Sequence, residues 1–431
     1  MSTINGWHTK RFDEFGELFS GSTPSTANSI YWGGDVVWIT PADLSKLKSR
    51  YIHNSAKQIT EKGLAACSTH LLPVGSIVLS SRAPIGYVAL PTVPFCTNQG
   101  CKTVKLRDGY DSEFAYFNIL FNIKKVKDLG EGTTFAEISK TALADVELDF
   151  PTTLDEQKKI AEVLSTVDRA IEDADALIAK QRRVKAGLMQ DLLRCGIDEQ
   201  GRLRSEARHK FKNSPVGRIP VEWDPSTLEH VGDWLSGGTP SKSNPAYWGD
   251  EVPWICPKDM KTFDLTTTTH RLTRAGADHG SREVPANSVF IVVRGMILAH
   301  TFPVSISNIP MAFNQDVKAI VACPDIEPRF LAYWFVSNGS KLLKITTTAT
   351  HGTKRFDMKE LFEVAIALPK RPEQARIVKR LDAAEMEVAV NRKIAAKLRS
   401  LKSGLMQDLL TGRKRVTPLL EASRRMAAQG S

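Results

Sequence analysis

The sequence has no apolar run long enough to cross a membrane. A membrane-spanning helix needs roughly 18 or more apolar residues in succession, and no segment of the 431 residues approaches that length. The first ten residues, MSTINGWHTK, also contain no apolar core of the kind that signal peptides have. We therefore expect a cytoplasmic protein without a membrane partner.

Cysteine is scarce as well. The six cysteines are scattered, and only Cys96 and Cys101 lie close together. No second pair of Cys or His follows at the spacing that a zinc site needs. We expect reduced cysteines and predict no metal site.

Acidic residues are outnumbered by basic ones, 48 against 58, which gives a net charge of +10. Such an excess favours an acidic partner, nucleic acid or a membrane surface, although many basic proteins bind neither. The chain is also longer than one hydrophobic core normally organises, so we expect two or three units.

Two long segments are almost free of helix-breaking residues and carry apolar residues at alternating steps of four and three, a coiled-coil pattern. Both end in the heptapeptide GLMQDLL, at Gly187 to Leu193 and at Gly404 to Leu410. The seam of the first segment comprises Ile160, Leu164, Val167, Ile171, Ala174, Ile178, Leu188 and Leu192, with Gln181 and Lys185 as polar members. The seam of the second comprises Ile377, Leu381, Ala384, Val388, Ala395, Leu398, Leu405 and Leu409, with Asn391 and Lys402 as polar members. We predict that the two helices pair with each other as an antiparallel intramolecular coiled coil.

The rest of the chain is a repeat as well. Phe19 to Leu44 matches Leu235 to Met260 without a gap, and both contain Thr-Pro, Tyr-Trp-Gly and Trp-Ile motifs. Further on, Arg82 matches Arg294, and Asn98-Gln99 matches Asn314-Gln315. One unit of about 215 residues is therefore used twice.

Each copy has the texture of a mixed α/β (α+β) domain. Short β runs are broken by Gly, Pro, Asn and Asp, and a helical pattern comes late, near Ser112 to Val126 and Pro328 to Leu343. The predicted order is a first domain at 1–151, a first long helix at 152–194, a basic linker at 195–220, a second domain at 221–369, a second long helix at 370–411 and a flexible basic tail at 412–431.

Catalytic motifs are missing from both copies. There is no Walker A loop, no Gly-rich strand-to-helix turn and no Gly-x-Ser-x-Gly. Asn244 to Tyr247 is similar to the Asn-Pro-Pro-Tyr motif of amino-methyltransferases, but its third residue differs and its counterpart is Asn28 to Tyr31. Asp316 and Lys318 are similar to half of a nuclease metal site, but the first copy has Gly100 in place of the aspartate. We predict a binding protein with no catalytic residue and no cofactor of its own.

Two variable domains that alternate with two equivalent helices resemble the specificity (S) subunit of type I restriction-modification enzymes, the HsdS family. The resemblance depends on the ordered set of (Ser/Gly)-Thr-Pro, Trp-Ile-(Thr/Cys)-Pro-x-Asp and Asn-Gln segments, present twice, and it extends from about Trp7 to Leu410. It implies that each domain is a target recognition domain for one half of a bipartite, asymmetric DNA site.

The resemblance also implies partners. The paired helices would set the spacer between the half-sites and dock two methyltransferase (M) subunits, and restriction (R) subunits would join through the complex. Those partners would use S-adenosylmethionine, ATP and Mg for adenine methylation and DNA cleavage. Apolar residues beside the first seam, Val163, Leu177 and Met189, favour further docking on the helices.

A DNA reader needs cations for phosphates and forked or amide side chains for base edges. The candidates are Lys46, Lys48, Arg50 and Arg82 in the first domain and Lys258, Lys261, Arg271, Arg274, Arg294, His351, Lys354 and Arg355 in the second. Identical amides in two domains that read different sequences favour a structural role for Asn98, Gln99, Asn314 and Gln315. The paired tryptophans, Trp32 with Trp38 and Trp248 with Trp254, are more typical of a core than of a stacking platform.

Two other functions stay open at this point. The chain is an enzyme if the purified protein acts on DNA without partners, and it is a protein-binding coiled-coil adaptor if it has no salt-sensitive affinity for DNA. A specificity subunit of a complex that only methylates is a further alternative.

Overall fold

The computed structural model describes residues 6–130, 137–348 and 352–429. The chain divides into two compact units, one formed by Met1–Asp175 with Lys393–Ser431 and the other by Ala176–Arg392. Both boundaries fall inside the long helices, which span Leu154–Cys195 and Arg371–Leu409. Each unit therefore contains one domain and a part of both helices.

The first domain is built on a five-stranded sheet and a smaller three-stranded sheet. The strand order in the larger sheet is Gly16–Ser20, Cys101–Leu106, Ile77–Ser80, Val88–Pro91 and Tyr51–Ile52, all antiparallel except the last pair. The smaller sheet contains Gln58–Ile59, Trp32–Ile39 and Phe95–Thr97, and Trp7–Arg11 pairs separately with Glu147–Pro151. The helices are Phe12–Phe15, Ser29–Tyr31 (3-10), Pro41–Leu44, Glu61–Ala65, Ser112–Phe121, Ile123–Asp128 and Lys140–Ala144.

The second domain repeats the strand order of the larger sheet, but its smaller sheet has four strands instead of three. Its larger sheet has the order Gly232–Ser236, Val317–Ala322, Val289–Val292, Val304–Ser307 and Asp264–Leu265. Its smaller sheet contains His270–Leu272, Trp248–Ile255, Met311–Phe313 and Glu283–Val284, and Asp224–Thr227 pairs with Ala365–Leu368. The helices are Arg274–Gly280, Pro328–Leu342, Met358–Phe362 and the 3-10 turns Leu228–Val231, Pro245–Tyr247, Met296–Ala299 and Leu343–Ile345. The predicted mixed α/β repeat is confirmed.

The long helices bury the seam that their sequences predict. Every four-and-three position from Ile160 to Leu192, and from Ile377 to Leu409, is buried or partly buried. In the first unit Ile160 and Leu164 share a core with Leu409. In the second unit Leu192 shares a core with Ile377 and Leu381. Since the start of each helix meets the end of the other, the pair is antiparallel, as predicted.

The polar seam positions contact the opposite helix. Lys402 lies 2.5 Å from Asp168 in the first unit. In the second unit Lys185 pairs with Glu385, and Asn391 Nδ2 donates to Gln181 Oε1 at 3.0 Å. These partners restrict the register, because a shifted pairing would leave partly buried polar groups without acceptors.

A buried Glu-Gln pair at the start of each helix holds three segments together. Gln157 accepts from Asp111 N at 2.9 Å and donates to Pro151 O at 3.1 Å, while Gln374 makes the same bonds to Glu327 N and Pro369 O, both at 2.8 Å. The preceding glutamates, Glu156 and Glu373, each bind an arginine that follows the end of the other helix, Arg415 at 2.6 Å and Arg204 respectively.

Two segments are more ordered than the sequence predicts. The linker at 195–220 contains a hairpin, Phe211–Ser214 with Gly217–Pro220, and buries Ile197, Arg204 and Ile219. The tail buries Val416 in the first core and continues as the helix Thr417–Gln429. Both segments are rich in charged residues, so their composition does not indicate that a few of their residues are buried. No helix in the described ranges is both long and apolar enough to span a bilayer.

We predict that Glu373→Ala lowers the melting temperature by roughly 10 °C, because it leaves the buried Arg204 guanidinium, Ile197 N and Trp223 Nε1 without their acceptor. Thermal unfolding monitored by circular dichroism measures the effect. Glu206→Ala is the matched control, since Glu206 pairs with Arg218 while both are about half exposed. Equal melting of the two variants would contradict a stabilising role for the buried pair.

Candidate nucleic-acid interface

The recurring Trp-Ile-(Thr/Cys)-Pro-x-Asp segment ends in a carboxylate that joins two loops. Asp43 accepts from Thr40 N and from Ala56 N, both at 2.9 Å. Asp259 likewise accepts from Cys256 N and Thr269 N, both at 2.9 Å. The motif therefore recurs because it fixes the loops, whatever those loops bind.

The Gly-Thr-Pro and Asn-Gln segments hold each other. Thr23 Oγ1 donates to Gln99 Oε1, and Thr239 Oγ1 donates to Gln315 Oε1 at 2.6 Å. Gly21 has no room for a side chain, because a Cβ there would lie 2.2 Å from the Asn98 carbonyl oxygen. The prediction that these amides are structural is confirmed.

The tryptophans pack as T-shaped pairs in the same place of each domain. Ring centroids are 5.1 Å apart for Trp32 and Trp38 and 5.3 Å apart for Trp248 and Trp254. Trp38 and Trp254 are buried, and the indole of each donates to a backbone carbonyl at 3.0 Å. Trp38 and Trp254 belong to the core, as predicted, and the partly buried Trp32 and Trp248 pack against it.

Arg50 is the predicted DNA contact that the structure places elsewhere. Its side chain is 7% exposed, between Glu113 at 3.2 Å and Asp168 at 2.9 Å, and it lies over the Phe117 ring. Arg329 does the same in the second unit, between Asp264 and Asp382. The structure thus corrects the prediction for Arg50, because its guanidinium joins Glu113 of the domain to Asp168 of the first long helix.

The remaining DNA-binding candidates differ in whether their charged groups already have partners within the protein. Lys46, Lys48, Lys258 and Lys261 are exposed around the short turn after the Trp-Ile segment. Arg271 donates to the carbonyls of Asp250 at 2.9 Å and Glu251 at 3.1 Å. Arg274 pairs with Glu283. The lysines are thus better placed than these two arginines to contact a partner.

Three cations meet on one small sheet of the second domain. Strand Arg294–Gly295 pairs antiparallel with Lys354–Phe356, so that Arg294 lies opposite Arg355 and Gly295 opposite Lys354. We call Arg294 and Arg355, which lie on one face of this sheet, the cationic patch; Lys354 precedes Arg355 in the strand and lies on the opposite face. His351 lies outside the described residues. In the first domain Arg82 occupies the place of Arg294 but faces Glu137, with which it pairs at 2.9 Å.

The cationic patch places two like charges opposite each other, whereas the equivalent position in the first domain pairs Arg82 with Glu137. Like charges directly opposite each other on paired strands are destabilising, whereas opposite charges are favourable. The residue opposite the arginine is therefore a carboxylate in the first domain and another arginine in the second, where Asp316 pairs with Arg294 alone. A bound anion is the simplest compensation for such a surface.

Asp316 and Lys318 do not form a metal site. Asp316 binds Arg294 at 2.6 Å, and Lys318 donates to Ser236 Oγ. Burial, together with the charge of Arg282, lowers the pKa of Lys318. Within the part of the chain that the structure describes, no three His, Cys, Asp or Glu side chains converge as metal ligands would.

Two similar domains, each joined to a part of a pair of long helices and presenting cations on loops, define a protein with two separate binding surfaces. The family model for the type I restriction modification DNA specificity domain matches residues 4–179 and 220–400. The chain therefore belongs to that family.

Relatives support this assignment. The chain is 34% identical over 258 residues to the type I restriction enzyme MjaIX specificity subunit of Methanocaldococcus jannaschii, covering 59% of this chain and 58% of the relative. It is 36% identical over 164 residues to the EcoR124I/EcoR124II specificity subunit of Escherichia coli, covering 38% and 40%. The matches thus span 58% or less of these two relatives.

Solved structures have the same fold. An S subunit from M. genitalium covers 95% of this chain and 98% of its own at a TM-score of 0.54 and 16% identity. A chain from a structure on complex assembly and conformational transition of the type I R-M system covers 95% and 99% at a TM-score of 0.60 and 18% identity.

Sequence reasoning missed the partners of the cations. The ion pairs of Asp316, Glu113 and Glu137 determine which arginine nitrogens remain available. None of these carboxylates is predicted from the sequence to have a role in DNA binding. One signal was present: Asp316 replaces Gly100 between the copies, next to the matching Asn-Gln segments. Differences inside an otherwise matching frame therefore point to the functional positions.

We predict that Arg50→Ala lowers stability by about 3 kcal/mol, because two carboxylates lose their shared guanidinium. Lys48→Ala is the control, since Lys48 is exposed and its loss should leave the melting temperature unchanged. Thermal unfolding of both variants measures this. Wild-type melting of Arg50→Ala together with weakened DNA binding would restore the original prediction.

Proposed function

We propose that this chain is the DNA specificity subunit of a type I restriction-modification complex and carries no chemistry itself. Its two domains read the two halves of a bipartite, asymmetric site on double-stranded DNA. The observation that carries the proposal is a repeated frame with matching Thr-Gln and aspartate-to-loop hydrogen bonds, on which the charges at the end of the matching strand differ between the copies. Such a design keeps the architecture while changing the sequence that is read.

The long helices are the docking site for two M subunits. Val163 and Met189, expected beside the seam, pack partly against the domain cores instead. On the second long helix, however, Met386 and Val390 are at least 50% exposed, and their spacing of four residues puts them on one face. An apolar face of this kind on a paired helix fits a helical partner.

The chemistry resides in those partners. M subunits use S-adenosylmethionine to methylate adenine, and R subunits, joined through the complex, use ATP and Mg for translocation and cleavage. A complex that only methylates is the alternative when no R subunit is present. The complex acts on chromosomal DNA in the prokaryotic cytoplasm.

Exchange of the second domain tests the reading directly. We predict that replacing Leu235 to Pro369 by the corresponding domain of another specificity subunit changes one half of the methylated site and preserves the other. Mapping of methylated adenines in cells, with and without the gene, supplies the readout. Change in both halves, or in neither, would contradict separate reading.

Stoichiometry tests the docking face. We predict two M subunits per chain in native mass spectrometry, and loss of an M subunit in Val390→Glu, because a charge then replaces an exposed apolar contact. Glu387→Lys, a surface change on the same helix, is the control. A complex with one M subunit at saturation would contradict the proposal.

A further inference from the structure

Arg82 and Arg294 occupy the same backbone position in the two domains. The Arg82 amide donates to the carbonyl of Gly100 at 3.2 Å, and the Arg294 amide donates to that of Asp316 at 3.3 Å. The main chain therefore presents both arginines alike. Any difference between them comes from their side-chain partners.

In the first domain one terminal nitrogen of the arginine is held by a carboxylate. Arg82 Nη2 lies 2.9 Å from Glu137, and the same carboxylate lies 3.8 Å from Lys102. Arg82 therefore cannot present both terminal nitrogens to a base unless it breaks this ion pair. Arg82 is thus a poorer reader of a base than an arginine whose two terminal nitrogens are both available.

The second domain holds its arginine by the other nitrogen. Asp316 Oδ1 accepts from Arg294 Nε at 2.6 Å. Asn314 fixes that carboxylate, donating to Asp316 Oδ2 at 3.2 Å and accepting from Asp316 N at 3.1 Å. Arg294 Nη1 and Nη2 make no hydrogen bond to any described residue, and the side chain is 51% exposed. Asp316 therefore fixes the orientation of the guanidinium, and Nη1 and Nη2 remain available to bind another molecule.

An oriented fork suits a base more than a phosphate. Phosphate contacts need little orientation, and Arg355, opposite Arg294, already supplies such a charge. Two N–H donors in a fixed plane match the O6 and N7 acceptors of guanine in the major groove. Met296, two residues after Arg294 and 62% exposed, is an apolar neighbour better suited to base edges than to phosphates.

We propose that Arg294 reads a guanine in the half-site of the second domain, with Asp316 as its positioning residue, and that the first domain makes no equivalent contact through Arg82. This inference rests on the proposed function, because it names the base that one of the two reading surfaces recognises. Arg355 contributes charge to the same surface without selecting a base.

The test measures the assembled complex with M subunits on duplexes that carry each base substitution in the mapped half-sites. Arg294→Ala should relax one G·C position of the second half-site by roughly ten- to hundredfold. Arg294→Lys should relax the same position, because it retains the charge but loses the fork. Asp316→Asn should relax it to a smaller extent.

Two variants are matched controls. Arg355→Ala should weaken binding to all sequences and reduce its salt dependence, without changing base preference. Arg82→Ala should leave the first half-site unchanged. Thermal melting establishes that each variant is folded, and Arg294→Lys decides the matter if Arg294→Ala does not fold.

Several results would overturn the inference. They are a second half-site without a fixed G·C pair, a uniform loss of affinity in folded Arg294→Ala or Arg294→Lys, and a relaxed first half-site in Arg82→Ala. Failure of the proposed function is distinguishable, because the wild-type complex would then methylate no bipartite site at all.

Discussion

The buried pairing of Glu156 with Arg415 and of Glu373 with Arg204 is the interaction on which the other contacts of each unit depend. Each glutamate stands at the start of one long helix and each arginine just past the end of the other, so that both helices and the adjoining domain meet at one point. Because an unpaired charge at these sites is costly, the pairing requires the antiparallel helices to be in register. The apolar seam supplies most of the buried area, while these pairs select one alignment of it.

Apart from these two shared ion pairs, the units differ mainly in which charged residues occupy equivalent positions. An arginine of the domain pairs with an aspartate of a long helix in both units. The arginine is Arg50, on a loop, in the first unit and Arg329, on a helix, in the second. The arginine at the end of the matching strand faces a glutamate in one unit and another arginine in the other. The Thr-Gln and aspartate-to-loop hydrogen bonds that both domains share do not involve the exchanged residues.

The sequence alone predicts the repeat, the antiparallel helix pair and most strands, because four-and-three spacing and matching motifs are properties of order along the chain. It does not predict that Arg50 is buried, since a cation in a polar stretch looks the same whether or not Glu113 and Asp168 enclose it. The ordered linker was missed for the same reason: its few buried residues are hidden among charges. The candidate cations can be identified in the sequence. Their carboxylate partners cannot, because these come from segments that are distant along the chain.

If the paired helices set the distance between the half-sites, lengthening both should lengthen the non-specific spacer. Four residues inserted between Ala174 and Ile178 and four between Asn391 and Ala395 extend each helix by about 6 Å at 1.5 Å per residue. At about 3.4 Å per base pair, the spacer should grow by one to two base pairs, while both recognised half-sequences stay the same. A seven-residue insertion preserves the heptad phase and is the control. Mapping of methylated adenines decides: an unchanged spacer in a folded, active complex would contradict the helices' role in setting the distance.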